Sequence, residues 1–348
     1  TMIRVNEITF IDGISDNSSQ VAVIFIIAAG LRLGVLPLQA PFLKEIPTRR
    51  GLGTLRRLIP VAASIVLLMR VSVVDVSSDW SRIISIVAIS ALLYGSLSWF
   101  LARDELEGRP FWILSLSALS VMAAIHSEPL STQAWGISLI LSGGILFLYT
   151  WRDRRFLWIL FLGMLGFIGV PFTPAWFGLS ILDGSSVLLW ILIILSLVFL
   201  VFGFYRHMSR PKNKQDSLEP WAGILYPVGL AILPVTHYWM IWALGGITIP
   251  SSLFGEIYWW VGVILLILLI PLYFLERSGF NMPPGINNFI QGFISSDRIY
   301  KFLQRAYRTI GDIFNYFLQM LERDGGILWA ALILILILAI FINSFGGP

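Results

Sequence analysis

Ten apolar runs, each bounded by polar or charged residues, leave this chain little choice of fold. They read approximately as Val21–Leu36, Ile59–Val74, Ile83–Leu101, Phe111–Ile125, Trp135–Tyr149, Phe156–Val170, Val187–Tyr205, Trp221–Val235, Trp259–Phe274 and Ile327–Ile342. In hydrocarbon every backbone donor and acceptor must be satisfied within the segment, so runs of this kind cross as α-helices. Several fall short of the ~20 residues a straight crossing needs, which requires extended ends or interrupted helices. A soluble fold is disfavoured by composition, because hydrophobic residues make up 57% and charged ones only 13% of the chain, against about 25% charged in soluble domains. Aromatic residues at 14%, including 14 Trp, suit two interfacial belts. The fold class that follows is an all-α polytopic membrane protein.

The basic residues alternate between loops. One side collects Lys44, Arg49, Arg50, Arg56, Arg57, Arg103, Arg109, Arg152, Arg154, Arg155, Arg206, Arg210, Lys212, Lys214, Arg277, Arg298, Lys301, Arg305, Arg308 and Arg323, which is 20 of the 24 Lys+Arg. Arg4 and Arg82 fall on the other side, and Arg32 and Arg70 fall within spans. By the positive-inside rule the loaded side is cytoplasmic, which predicts a multi-pass protein of the cytoplasmic membrane with both termini outside. A pI near 9.4 is thereby explained without nucleic acid as a partner. The residues Thr1–Gln20 are polar and acidic where a signal peptide would be basic, so no cleavable signal is expected. With no Cys in the chain, disulfides, thiolate metal sites and cysteine nucleophiles are excluded together.

Organisation follows the loops. The polar stretch Arg206–Pro220 is the longest hydrophilic connection and marks a module boundary, while His237–Tyr258 reads as an aromatic, Gly-rich loop dipping into the interface. The expected segments are 1–20 outside, a helical core over 21–205, two further spans over 206–274, an amphipathic region over 275–326 and a last span over 327–348. Within the amphipathic region, Ile299, Phe302, Leu303, Ala306, Ile310, Ile313, Phe314, Phe317 and Leu321 share one helical face. Lys301, Arg305, Arg308, Asp312, Asn315, Gln319 and Glu322 fill the other, which suits a cytoplasmic-side helix lying on lipid or on a partner subunit.

Two stretches repeat a motif. Leu33-Gly34-Val35-Leu36-Pro37-Leu38-Gln39-Ala40-Pro41-Phe42 and Ile168-Gly169-Val170-Pro171-Phe172-Thr173-Pro174-Ala175-Trp176-Phe177 both run Gly-Val into paired prolines. Each proline removes a backbone donor, so Pro37, Pro41, Pro171 and Pro174 predict two broken helices. On the charge-derived topology the two run in opposite directions, a device that ion transporters place at their sites. Arg32 precedes the first break and needs a counter-charge, because an ionisable residue inside a membrane span is a functional-site hypothesis by default.

These residues reach a family. Leu31-Arg32-Leu33-Gly34-Val35-Leu36-Pro37-Leu38-Gln39 resembles the Phe-Lys-Leu-Gly-Ala-Val-Pro-Phe-His element of the proton-conducting antiporter-like subunits of NADH:quinone oxidoreductase and of Mrp-type antiporters. Ile59-Pro60-Val61-Ala62-Ala63-Ser64 through Arg70-Val71 resembles the helix that follows it in that family. Glu105-Leu106-Glu107-Gly108-Arg109 through Ser117 is similar to a loop-to-helix element ending in Tyr-Ser-Ser, and Gly169-Val170-Pro171-Phe172-Thr173-Pro174 resembles the second broken helix. The resemblance covers roughly Val21 to Tyr205 and begins partway through the family core. It implies that the helices before it belong to a missing N-terminal half or to a partner chain, which would supply the carboxylate facing Arg32.

This sequence departs from the family where protons would move. Arg32 stands at the first lysine, Val61 at the next, Leu179 at the lysine of the second broken helix, and Gln39 replaces a histidine. Arginine stays charged at every accessible pH, so it cannot shuttle protons as a buried lysine does. The resemblance therefore implies a degenerate subunit of a multi-subunit energy-converting or ion-translocating complex, acting as scaffold or partial ion path. Two alternatives are a functional cation or proton transporter in which Arg32 works with an external carboxylate, and a purely structural adaptor. Candidate ion-path or buried-charge residues are Arg32, Gln39 and Arg70, the last expected to snorkel or to meet Asp75. His126 and His237 read as interfacial hydrogen-bonders, and Ser115, Ser117 and Ser120 as helix-packing residues. No phosphate loop, HExxH site or triad is present, so no cofactor, metal or catalytic residue is expected.

Overall fold

The computed structural model describes residues 18–36, 50–149, 154–171, 173–182, 185–210, 220–245 and 259–277, with 305, 308, 309, 312, 334 and 335. The chain divides into two compact units, Thr1–Met282 and Pro283–Pro348. The first holds α1 (Ser18–Leu33), α2 (Arg50–Val71), α3 (Ser78–Leu101), α4 (Glu105–Ile125), α5 (Pro129–Leu148), α6 (Leu157–Ile168), α7 (Pro174–Gly178), α8 (Val187–Met208), α9 (Pro220–Gly245) and α10 (Trp259–Arg277). There is no strand among the described residues. Five helices, α2, α3, α4, α5 and α8, are each long and apolar enough to cross a membrane. In the second unit, Arg305, Arg308, Thr309 and Asp312 are helical and exposed, as are Leu334 and Ile335. The rest of the expected amphipathic stripe and of the last span lies outside the described residues.

Several helices differ from the apolar runs that announced them. α2 begins at Arg50 rather than Ile59, which puts Arg50, Arg56 and Arg57 on its opening turns and Pro60 in its interior. Proline supplies no N–H there. α4 begins at Glu105 because Asp104 caps it, its carboxylate accepting from Leu106 N at 2.9 Å and Glu107 N at 2.7 Å. The largest correction is α9, which continues through Val235 to Gly245 with Pro227 and Pro234 inside it. The first residues of the expected loop His237–Tyr258 are therefore helical. Membrane helices tolerate proline because neighbours re-satisfy the freed backbone groups.

Packing sorts the helices into centre and rim. Nearly every residue of α4 and most of α5 are buried, whereas α8 and α9 expose Leu188, Ile191, Ile224 and Trp239 outward. Small residues set the central contacts, as a methyl on Gly95 of α3 would lie 3.0 Å from the Phe111 carbonyl of α4. Ser115, Ser117 and Ser120 are buried, and Ser115 and Ser120 donate to carbonyls of their own helix. Trp99, Trp112, Phe167 and Phe204 form a buried ring cluster with neighbouring centroids 5.0–5.6 Å apart. Both indole N–H groups are satisfied, Trp99 by the Leu200 carbonyl and Trp112 by that of Leu139, each at 3.1 Å.

Candidate functional site

Each of the two repeated motifs begins with a helix that ends at a glycine. Gly34 and Gly169 are the glycines with positive φ among the described residues, at 78° and 82°. Each stands immediately after the last helical residue, of α1 and α6 respectively. At the end of α1, Val35 N donates to the Gly30 carbonyl at 2.9 Å and Gly34 N to the Leu31 carbonyl at 3.2 Å. That pair of bonds is a Schellman termination, which needs a residue in the left-handed region. After Gly169, Pro171 lies in the turn and Pro174 opens α7 as its first residue. Pro37, Gln39 and Pro41 lie outside the described residues.

The second interruption is held from the side. Ser131 and Trp135 of α5 both donate to the Gly178 carbonyl at the end of α7, at 2.7 and 2.8 Å. Thr173 donates to the Val170 carbonyl at 2.6 Å. The Val170 and Gly178 carbonyls around this segment are thus paired within the protein. Leu179 is fully buried beneath Gly169, and Gly262 of α10 approaches so closely that a methyl there would collide with the Gly169 carbonyl.

Arg32 does not lie in the interior of this chain. It occupies an exposed position beside exposed Leu31 in the last turn of α1, with no counter-charge among the described residues. Its head is offered outward. Arg70 is likewise exposed in the last turn of α2, and no ion pair joins it to exposed Asp75 among the described residues. Val61 is buried in the core.

The densest buried charge is elsewhere, where the starts of α2 and α4 meet the ends of α3, α5 and α8. Glu105 is almost wholly buried and pairs with Arg50, while Arg210 Nη1 lies 3.7 Å from its other carboxylate oxygen. Arg50 Nε also donates to the Phe147 carbonyl at 2.6 Å, and Arg206 Nη1 to the Phe100 carbonyl at 2.6 Å. His207 Nε2 faces the Trp99 carbonyl at 3.2 Å, which assigns its proton to that nitrogen. Arg109, fully buried, donates to Thr54 at 2.8 Å and lies over the Phe147 ring. Guanidinium groups here cap the orphan carbonyls of two helix ends and neutralise one carboxylate, which clamps those helix ends together. Sequence reasoning missed it, although Asp104, Glu105 and Glu107 were a visible acidic cluster in a basic loop.

A second polar cluster lies within the bundle. His237 of α9 is fully buried, a correction to its expected place at an outer edge, because α9 runs on past it. Its Nε2 is 3.1 Å from Ser138 Oγ and its Nδ1 is 3.4 Å from Ser142 Oγ, both on α5. Gly166 of α6 makes room for the ring, since a methyl there would lie 2.6 Å from Nδ1. His126, by contrast, is exposed at the end of α4, 3.5 Å from Ser85 of α3. No group of metal-ligating side chains forms among the described residues. No protein-family model and no curated protein matches this chain.

Proposed function

We propose that this chain is an antiporter-like membrane subunit of a multi-subunit, energy-converting or ion-translocating assembly, serving there as scaffold or partial ion path. The observation that carries the reading is the pair of helix ends closed by a positive-φ glycine, at Gly34 and Gly169, arising from one repeated motif. Paired breaks in oppositely directed helices are what ion-translocating folds use to expose backbone to a path. In this reading the clamp around Glu105 marks the cytoplasmic side, the membrane is the cytoplasmic one, and all ten apolar runs cross it.

A scaffold role is supported by what stands at the sites of titration. Val61 and Leu179 are buried hydrocarbon, so neither can relay a proton. Arg32 faces outward, where a permanent charge among exposed apolar neighbours favours a carboxylate or lipid phosphate outside this chain. The test is purification of the tagged full chain from native membranes in mild detergent. Other membrane subunits should co-purify in fixed ratio, Arg32→Leu should reduce their recovery, and Arg32→Lys should largely retain it. A monodisperse chain that brings no partner would overturn the proposal.

A further inference from the structure

A fissure of 480 Å³ runs between α6 and α9. Trp158 and Leu162 of α6 form one wall, and Ala231, Pro234, Tyr238 and Trp239 of α9 form the other. Trp158 and Trp239 are more than half exposed, so the fissure opens sideways from the bundle. Its α9 wall offers little to a polar partner. Pro234 has no N–H to give, and the Tyr238 hydroxyl donates to the Leu162 carbonyl at 3.2 Å.

Both walls run in the same direction. α9 passes from Tyr226, whose hydroxyl donates to the Leu148 carbonyl at the end of α5, to His237 beside Ser138. α6 passes from Gly163, whose carbonyl accepts from Ser142, to Gly166 beside the same imidazole. Ala231 therefore lies toward the start of α6, and Trp239 lies deeper. At 1.5 Å per residue the α9 wall is about 12 Å long. One leaflet contributes about 15 Å of a ~30 Å hydrocarbon core, so the fissure is one leaflet deep. Its bulky lining also keeps a partner helix from close approach, which needs small residues.

Charge stands at the shallow end. The turn Arg154–Phe156 leads into α6, and Arg155 is exposed one turn before Trp158. The segment Arg152-Asp153-Arg154-Arg155 holds three arginines against one aspartate. Tryptophan next to such a segment is the residue that membrane proteins place at headgroup level.

We propose that the fissure binds one anionic glycerophospholipid, with an acyl chain between α6 and α9 and its phosphate on Arg155. On the charge-derived topology this lipid belongs to the cytoplasmic leaflet. The guanidinium keeps its charge at every accessible pH and matches phosphate geometry. Burial of the tail adds what a soluble phosphate cannot. The inference needs the chain to lie in a bilayer but not to be a subunit, so absence of partner subunits would leave it standing.

The test is native mass spectrometry of the tagged full chain in mild detergent, incubated with phosphatidylglycerol or with phosphatidylcholine of the same acyl chains. The parent should retain one phosphatidylglycerol in preference to phosphatidylcholine. Arg155→Gln should weaken phosphatidylglycerol retention by about fivefold, the effect of one basic residue at a lipid surface, and leave phosphatidylcholine unchanged. Val235 also lines the fissure at an exposed position. Val235→Trp should narrow it and reduce retention of both lipids. Excess glycerol 3-phosphate should displace neither, and displacement would overturn the proposal by showing a headgroup site without a groove. Equal retention of the two lipids by the parent would also overturn it, and that comparison decides alone if the variants fail to fold. So would Val235→Cys crosslinking to another protein in native membranes, which would give the fissure to a partner helix.

Discussion

Replacing Gly34 with alanine tests the left-handed end of α1 by the sign of its effect. Gly34 has φ of 78° and closes the helix through the bonds of Val35 N and Gly34 N to the Gly30 and Leu31 carbonyls. An L-residue held there costs about 1–2 kcal/mol, because Cβ crowds the carbonyl that follows it. If α1 instead continued as a right-handed helix through this position, the same change would gain about 1 kcal/mol by helix propensity. The two structures thus differ by about 2–3 kcal/mol in the expected effect, with opposite signs. Gly34→Asn should be milder than Gly34→Ala, since asparagine enters the left-handed region more readily. Gly169→Ala should be at least as damaging as Gly34→Ala, because its methyl would also lie 2.7 Å from Leu179 Cδ1 in a filled core. Unfolding of the purified chain in mixed micelles of rising denaturing-detergent fraction, followed by tryptophan fluorescence, measures all three variants on one scale. A Gly34→Ala chain as stable as the parent or more so, or an asparagine variant no better than alanine, would refute the left-handed break.

Glu105→Gln should destabilise by about 1–3 kcal/mol: breaking a buried ion pair costs more, but water already reaches Arg50 and Arg210 in part. The same micelle titration checks it, and Glu105→Asp should fall between. Asp104→Ala removes the acceptor for two N–H groups at the start of α4 and should cost about 1 kcal/mol, read out in the same way. Because the chain has no Cys, single cysteines report topology cleanly. Ser77→Cys and Ser186→Cys should react with an impermeant thiol reagent in intact cells, and Ser209→Cys only after permeabilisation. Phe302→Asp combined with Ile310→Asp should abolish co-purification with partner subunits if that face docks, each large apolar side chain being worth roughly 1.5–3 kcal/mol when buried.

Helix existence was legible in the sequence where hydrophobicity and capping agreed. The starts of α8 at Val187 and α10 at Trp259 and the end of α4 at Ile125 fall where the apolar runs placed them. Ser186 shows why for α8, its hydroxyl accepting from Leu189 N. The failures share one cause, which is that hydropathy reports apolar character and not helical continuity. Arg50, Arg56 and Arg57 read as loop although α2 begins at Arg50, and Val235 read as an end although α9 passes through it. Which way Arg32 faces was illegible for a different reason. A lipid-facing side of a membrane helix is as apolar as its core-facing side, so periodicity carries little signal and small residues carry most of it. The His237 cluster was hidden by distance, since Ser138 and Ser142 are 99 and 95 residues away along the chain.

The break at Gly169 was legible because it is written in backbone chemistry. Glycine before paired prolines states both where a left-handed residue is wanted and where a donor is missing, and neither message depends on tertiary contacts. What the motif does not state is which side chain will stand beside the break, and here structure and motif part company. Leu179, next to Gly169, is sealed hydrocarbon, while the imidazole of His237 arrives at the end of α6 from a helix far along the sequence. An interrupted helix creates a local dipole end whatever its own side chains are, and a polar ring supplied by any neighbour can stand beside it. The polarity of this bundle therefore resides in its backbone first, at Gly169 and Gly178, and the residues that exploit it need not lie within the motif that made it.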